Sequence, residues 1–235
     1  GGRQLSIAAS TTGEQSVLPL PLGSSALHGL QAVSVRRNRL GTVQVSGSAA
    51  VLRFETIYDE RSAQSGAVAQ QDLSVLAGDR VYLQSWLDAQ QLTGKPPASL
   101  ARELAARMRL DFRYSLFQSE AAAWPLPIRR FLEHSRAGHC EYFATATVLL
   151  LRTAGIPARY ATGYVVEEFS ALEDLYVVRA RHAHAWARVF LDGAWHNLDT
   201  TPSIWLAAER EQSSALQPLF DLVALALYRF RAWRA

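Results

Sequence analysis

Gly138-His139-Cys140-Glu141-Tyr142-Phe143-Ala144, continuing through Val148-Leu149-Leu150-Leu151 to Gly155-Ile156-Pro157, is the stretch whose reading decides the fold. Residues 140–154 are apolar almost all round, and a helix without a polar face is a buried one. Gly155 supplies the C-terminal stop, and Pro157 follows two residues later. The chain therefore has a central buried helix with Cys140 at its N-terminus. Cys140 is the only cysteine in 235 residues, which excludes an internal disulfide and a multi-cysteine zinc site.

A free thiol has a pKa of about 8.5 and is mostly unreactive at neutral pH. A helix N-terminus carries a partial positive charge and free N–H groups, and both favour the thiolate. The Cys140 N–H is also placed to stabilise an oxyanion on an attacked carbonyl. Taken alone, a single cysteine is more often an inert, buried side chain.

A second stretch changes the balance. His182-Ala183-His184-Ala185-Trp186 leads towards Asp192-Gly193, a two-residue hairpin signal, and then to Leu198-Asp199-Thr200-Thr201-Pro202. If Leu191 pairs with Ala194, Trp186 stands opposite Asp199. His184 then shares that face as a diagonal neighbour of Asp199, roughly 7–8 Å away at the backbone. A carboxylate there orients the imidazole and stabilises its charged form. The opposite face carries Ala183, Ala185, Ala187, Val189 and Leu198, which suits burial. This register makes His184 the expected base. His182 lies further from Asp199, and His196 points to the other face. His139 adjoins Cys140, but residues one apart on a helix do not face each other. These three histidines are expected at the surface or in supporting roles.

A zinc site built from Cys140, His182, His184, His196 and Asp199 is the rival use of the same residues. The chain has no Cys-x-x-Cys and no His-Glu-x-x-His, so the spacing does not favour a metal, and no cofactor is expected. The formal charge of +3 is mild, Lys95 is the only lysine, and no basic stripe is interleaved with aromatics. Nucleic-acid binding is therefore not expected.

Moving outward, residues 1–75 read as a small antiparallel β unit. Leu52, Phe54, Thr56 and Tyr58 alternate with Arg53, Glu55 and Ile57, and Val33/Val35 and Val43/Val45 flank an Arg39-Leu40-Gly41 turn. Residues 76–210 form the core. In it, helices are expected from Val81 to Leu92, from an N-cap at Ser99 to Met108, and from Ile128 to His134. Strands are expected near Phe112–Leu116 and Arg159–Val166, with Glu167–Leu175 as a loop. Residues 211–235 read as a C-terminal helix packed on the domain. Its apolar run, Leu222 to Tyr228, is too short to cross a bilayer, and Arg229, Arg231 and Arg234 would suit a membrane face or a missing anchor. No signal peptide is evident, and Gly1-Gly2 suits a segment cut from a longer chain.

The ordered motifs Gly138-His139-Cys140-Glu141-Tyr142-Phe143-Ala144, Leu151-Arg152-Thr153-Ala154-Gly155-Ile156-Pro157-Ala158-Arg159, Gly163-Tyr164, His184-Ala185-Trp186 and Leu198-Asp199-Thr200-Thr201-Pro202 resemble the bacterial transglutaminase-like superfamily over roughly residues 110–205. The resemblance implies an α+β fold, a papain-like core whose central helix packs on an antiparallel sheet. It implies a Cys-His-Asp triad of Cys140, His184 and Asp199, with Tyr142 and Trp186 as candidate substrate contacts. It implies thiol acyl transfer on a protein or peptide with a glutamine or other amide donor: crosslinking, deamidation or hydrolysis. A catalytically silent binding module of the same fold is the alternative. Many members have Asp-Pro-Thr where this chain has Asp199-Thr200-Thr201-Pro202, and an acidic residue where it has Arg188. Some relatives are membrane proteins that carry such a domain outside the cytoplasmic membrane. The expected location is accordingly extracytoplasmic, on the periplasmic face, with anchoring through segments absent from this chain, or otherwise cytoplasmic.

Overall fold

The computed structural model describes residues 2–11, 14–47, 51–59, 66–116, 127–171, 173–203 and 205. The expected C-terminal helix, 211–235, lies outside them. The chain divides into two compact units between Ala67 and Val68.

Among its described residues, the first unit contains strands and no helix. Its strands are β1 (Arg3–Ser10), β2 (Gln15–Val17), β3 (Ser24–His28), β4 (Ser34–Arg37), β5 (Val43–Ser46) and β6 (Val51–Tyr58). They form two antiparallel sheets, ordered β1-β6-β3 and β2-β5-β4. Alternation turns Val43 and Val45 of one sheet and Leu52 and Phe54 of the other into a shared cluster with Leu18. The odd–even reading corresponds to strand faces at Leu52/Phe54 and Val43/Val45, but Val33 lies before β4 and both Val33 and Val35 are exposed.

The second unit, 68–212, combines helices and strands. Helices α1 (Ala77–Ala89) and α2 (Pro97–Asp111) come first, followed by β7 (Arg113–Tyr114). Helix α1 starts four residues before the expected Val81. Helix α2 starts before Ser99, so Ser99 is not its cap. Pro97 occupies the first turn and Pro96 is the N-cap; proline's fixed φ suits a helix start, and its missing N–H costs nothing there. Next come α3 (Pro127–Arg130), a π-helical turn (Phe131–Ser135), β8 (Ala137–Gly138) and α4 (Cys140–Thr153). The strands β9 (Ala158–Tyr164), β10 (Glu168–Ser170), β11 (Leu175–Val177), β12 (Ala183–Leu191) and β13 (Ala194–Leu198) complete the unit.

The architecture is α+β, with α4 packed on the antiparallel sheet β13-β12-β9. Phe143, Ala146, Leu150 and Leu151 of α4 are fully buried with Leu104, Met108, Ala187 and Val189. Helix α4 ends at Gly155, whose φ of +77° is the left-handed conformation that glycine adopts freely. On the far side of the sheet, Arg159 is clamped by a buried two-point ion pair to Asp72, with nitrogen–oxygen distances of 2.9 and 2.7 Å. The Arg159 guanidinium also lies 3.8 Å over the Trp195 ring. Such a pair holds its position because removing either partner strands a buried charge.

Residues 167–175, expected as a loop, contain a hairpin. Phe169 pairs with Tyr176 across β10 and β11, and Glu168 with Val177. Glu168 also binds Arg179 at 2.8 Å and Arg181 at 2.7 Å, closing the base of the hairpin.

Candidate active site

The β12–β13 hairpin positions two of the expected groups. Asp192 and Gly193 have φ of +50° and +80°, as a two-residue hairpin turn requires. Leu191 pairs with Ala194 and Ala187 with Leu198, the register counted from the sequence. Ala185, Ala187 and Val189 are buried against α4. His184, on the other face, is buried, and its Nε2 lies 2.7 Å from Asp199 Oδ2.

Asp199 is itself held. Its Oδ1 accepts the Thr201 N–H at 2.9 Å, and its carbonyl accepts a bond from Arg109 of α2 at 2.6 Å. Thr200 is hydrogen-bonded to Thr147 of α4 at 2.8 Å, inside the core. That bond ties the segment carrying the carboxylate to the helix that carries the thiol.

Cys140 opens α4, with His139 as N-cap. Its thiol is half-buried. Burial pushes the thiol up, but the neighbouring His139 and His184 side chains and the Ala185 N–H outweigh it and bring it down to about 6. His184 moves the opposite way. Burial pushes it down, but Asp199 and Cys140 together raise it to about 9. Asp199 is held below the ordinary carboxylate value: burial raises it, and the His184 and Thr201 bonds overcome that. Asp199 occupies Nε2, and the buried Nδ1, the ring's other nitrogen, makes no hydrogen bond. Between about pH 6 and 9 the resting pair is thus a thiolate beside an imidazolium.

The other sequence-predicted residues have definite places. Trp186 lies with its ring edge over Gly163, where an added Cβ would come within 2.9 Å of the indole, and its N–H donates to Asn197 at 3.1 Å. Tyr142 packs against Gly138 and Phe131, a ring distance of 5.7 Å for the latter. His182 is buried beside Glu168 in the turn before β12, with Nε2 3.5 Å from the carboxylate, rather than exposed on the strand face of His184. His196 is exposed and bonds only the Leu191 carbonyl, at 3.3 Å.

One neighbour of the site is absent from the sequence reading: Trp205, buried and stacked on the His184 imidazole with centroids 4.1 Å apart and planes 5° from parallel. It follows Pro202 outside any periodic segment, so no pattern marks it. His139, expected at the surface or in a supporting role, is the N-cap of α4, with an extended backbone at φ −85° and ψ 177° rather than a helical one. Among the described residues no three of His, Cys, Asp and Glu converge as metal ligands.

Residues 85–200 match the transglutaminase-like superfamily. A protein-glutamine gamma-glutamyltransferase of Pseudomonas aeruginosa is 30% identical over 133 residues, which cover 56% of this chain and 19% of that protein. The uncharacterized protein YebA of Bacillus subtilis is 34% identical over 79 residues, 32% of this chain and 11% of that one. The crystal structure of the periplasmic domain of TgpA from Pseudomonas aeruginosa superimposes with a TM-score of 0.61 at 19% identity, covering 86% of this chain and 74% of that domain. At that identity the likeness speaks for the fold. The core of this chain belongs to the transglutaminase-like superfamily, a family of the cysteine acyltransferase type. The aligned segments span a fifth or less of these two sequence relatives' lengths.

Proposed function

We propose that the protein is a cysteine-dependent acyl transferase acting on protein or peptide amides through Cys140, His184 and Asp199. One observation carries the reading: the thiol at the start of α4 is coupled to an imidazole whose far nitrogen is 2.7 Å from a carboxylate. In this mechanism the Cys140 thiolate attacks a carboxamide carbonyl, and the oxyanion forms near the Cys140 N–H. The His184 imidazolium gives its proton to the departing amine or ammonia as the carbon–nitrogen bond breaks. A thioester and a neutral imidazole remain. Water or an amine then attacks the thioester, its proton passes to His184, and the thiolate leaves. Asp199 fixes the ring and offsets its charge.

Trp186, beside the His184 ring, and Tyr142, in the first turn of α4, are candidate substrate contacts. The two units would serve as an accessory β region and a catalytic core. No described helix is long and apolar enough to cross a membrane. The likeness to a periplasmic domain supports an extracytoplasmic setting, with anchoring through other segments of a longer protein. The functional test is incubation with a glutamine-rich protein and a labelled amine, following amine incorporation, ammonia release and cleavage together. Any one of these products, dependent on Cys140, supports acyl transfer; none of them, from folded protein across several such substrates, favours a silent binding module.

A further inference from the structure

In the proposed reaction His184 must deliver a proton at a fixed point, yet hydrogen bonding alone holds its ring loosely. Nε2 meets Asp199 at 2.7 Å, and Nδ1 makes no hydrogen bond. Nε2 lies close to the Cβ–Cγ axis, so a single bond there leaves the roll of the ring soft, and the χ2 torsion of histidine is intrinsically broad. The pair is also open on one side: the Asp199 side chain is 41% exposed, against 4% for His184. Water screens an ion pair with one exposed partner. Something else must fix the plane of the ring.

The Trp205 indole is in place to do so. It lies flat on the imidazole, with centroids 4.1 Å apart and planes 5° from parallel. Trp186 is also close to parallel but stands farther off, at 6.2 Å and 17°, and its N–H is committed to Asn197 at 3.1 Å. Trp205 is buried and seated from two directions. Its backbone N–H donates to the Pro202 carbonyl at 3.1 Å, which ties it to the segment carrying Asp199. Its ring lies 6.4 Å from that of Tyr114. Tyr114 belongs to β7, where it pairs with Gly138, two residues before Cys140. A line of rings, Tyr114, Trp205 and His184, thus runs from the strand beside the thiol helix to the base.

We propose that Trp205 is a positioning residue of the acyl-transfer site: its indole face fixes the plane of the His184 imidazole, so that Nε2 stays on Asp199 and Nδ1 keeps one direction, and it keeps water off that face of the ring. The inference rests on the proposed acyl transfer for its consequence, not for its geometry. With Nε2 taken by Asp199, Nδ1 is the atom that must give and receive the proton, and a ring that rolls misdirects it. An aromatic face also attracts the charged ring that the reaction starts from.

The test is proton NMR of the whole chain at neutral pH, with steady-state kinetics beside it, for wild type, Trp205→Phe, Trp205→Leu and Trp205→Met. The ring N–H that His184 donates to Asp199 should give a far-downfield signal, assigned by its absence in His184→Ala. It should be present in wild type and Trp205→Phe, and lost to solvent exchange in Trp205→Leu and Trp205→Met. With a glutamine-rich protein and a labelled amine, the leucine and methionine variants should lower kcat by roughly 3–30-fold at unchanged KM, and phenylalanine should restore most of it. A signal that persists in a folded leucine or methionine variant would overturn the inference, and so would its loss in a folded Trp205→Phe. Should neither aliphatic variant fold, wild type decides: the carbon-bound ring protons of His184 must lie upfield of those of exposed His196, shifted by the indole, and unshifted protons overturn the inference. If wild type gives no product while the signal follows the indole as expected, acyl transfer fails and the positioning of His184 stands.

Discussion

The two imidazoles beside Cys140 are built by different means. His184 sits on the central strand of a sheet, buried, with a carboxylate at 2.7 Å and an indole stacked on its face. His139 sits at a helix cap, partly open to solvent, with a carboxylate at 3.9 Å and a phenol ring against its edge. The buried arm can hold a charge at high pH because Asp199 and Cys140 outweigh the cost of burying it. The open arm is screened by water. Proton transfer is therefore assigned to His184.

The largest effect should come from the thiol itself. Cys140→Ala should abolish amine incorporation and ammonia release while circular dichroism and thermal unfolding stay near wild type; a folded Cys140→Ala protein with full activity would end the account. Breaking the buried arm comes next. His184→Ala should lower turnover by about 10²–10⁴-fold and raise the thiol midpoint. The two arms also set the pH profile. Turnover should fall as pH drops through about 6, where the thiolate is protonated, and as it rises through about 9, where His184 loses the proton it must donate. Asp199→Asn should pull in the alkaline limb and leave the acid limb less affected.

Smaller effects sharpen the contrast. Trp205→Leu removes the ring stacked on His184 and should cost roughly 3–30-fold in turnover, with the alkaline limb moving to lower pH, since an aromatic face stabilises an imidazolium. An unchanged limb would assign Trp205 to packing alone. Gly163→Ala places a methyl group 2.9 Å from the far end of the Trp186 indole. The ring must tilt, and overpacking of this kind costs about 1–3 kcal/mol of stability, read by denaturant unfolding.

The same contrast explains what the sequence could disclose. The buried arm was legible because Asp192-Gly193 fixes a turn, the turn fixes a register, and the register brings His184 to Asp199. Helix α4 was legible from its largely apolar run and Gly155. The helix rule that turned His139 away from Cys140 did not apply, because His139 is the N-cap just outside the helix. Trp205 reaches His184 from beyond a proline, by a path that no periodicity encodes. The hairpin at 168–177 was hidden because much of its support is the charge cluster of Glu168 with Arg179 and Arg181, made across the chain rather than along it. Thr147, a polar residue inside an apolar helix, was a visible sign of a buried partner, though the partner, Thr200, could not be named.

The central claim, that Cys140 rests as a thiolate paired with a charged His184, is tested most directly by iodoacetamide labelling of the wild-type chain across pH 4 to 10, with the modified residue confirmed by peptide mass. The account predicts a single labelling midpoint near 6. A midpoint near the ordinary thiol value of about 8.5 would contradict it.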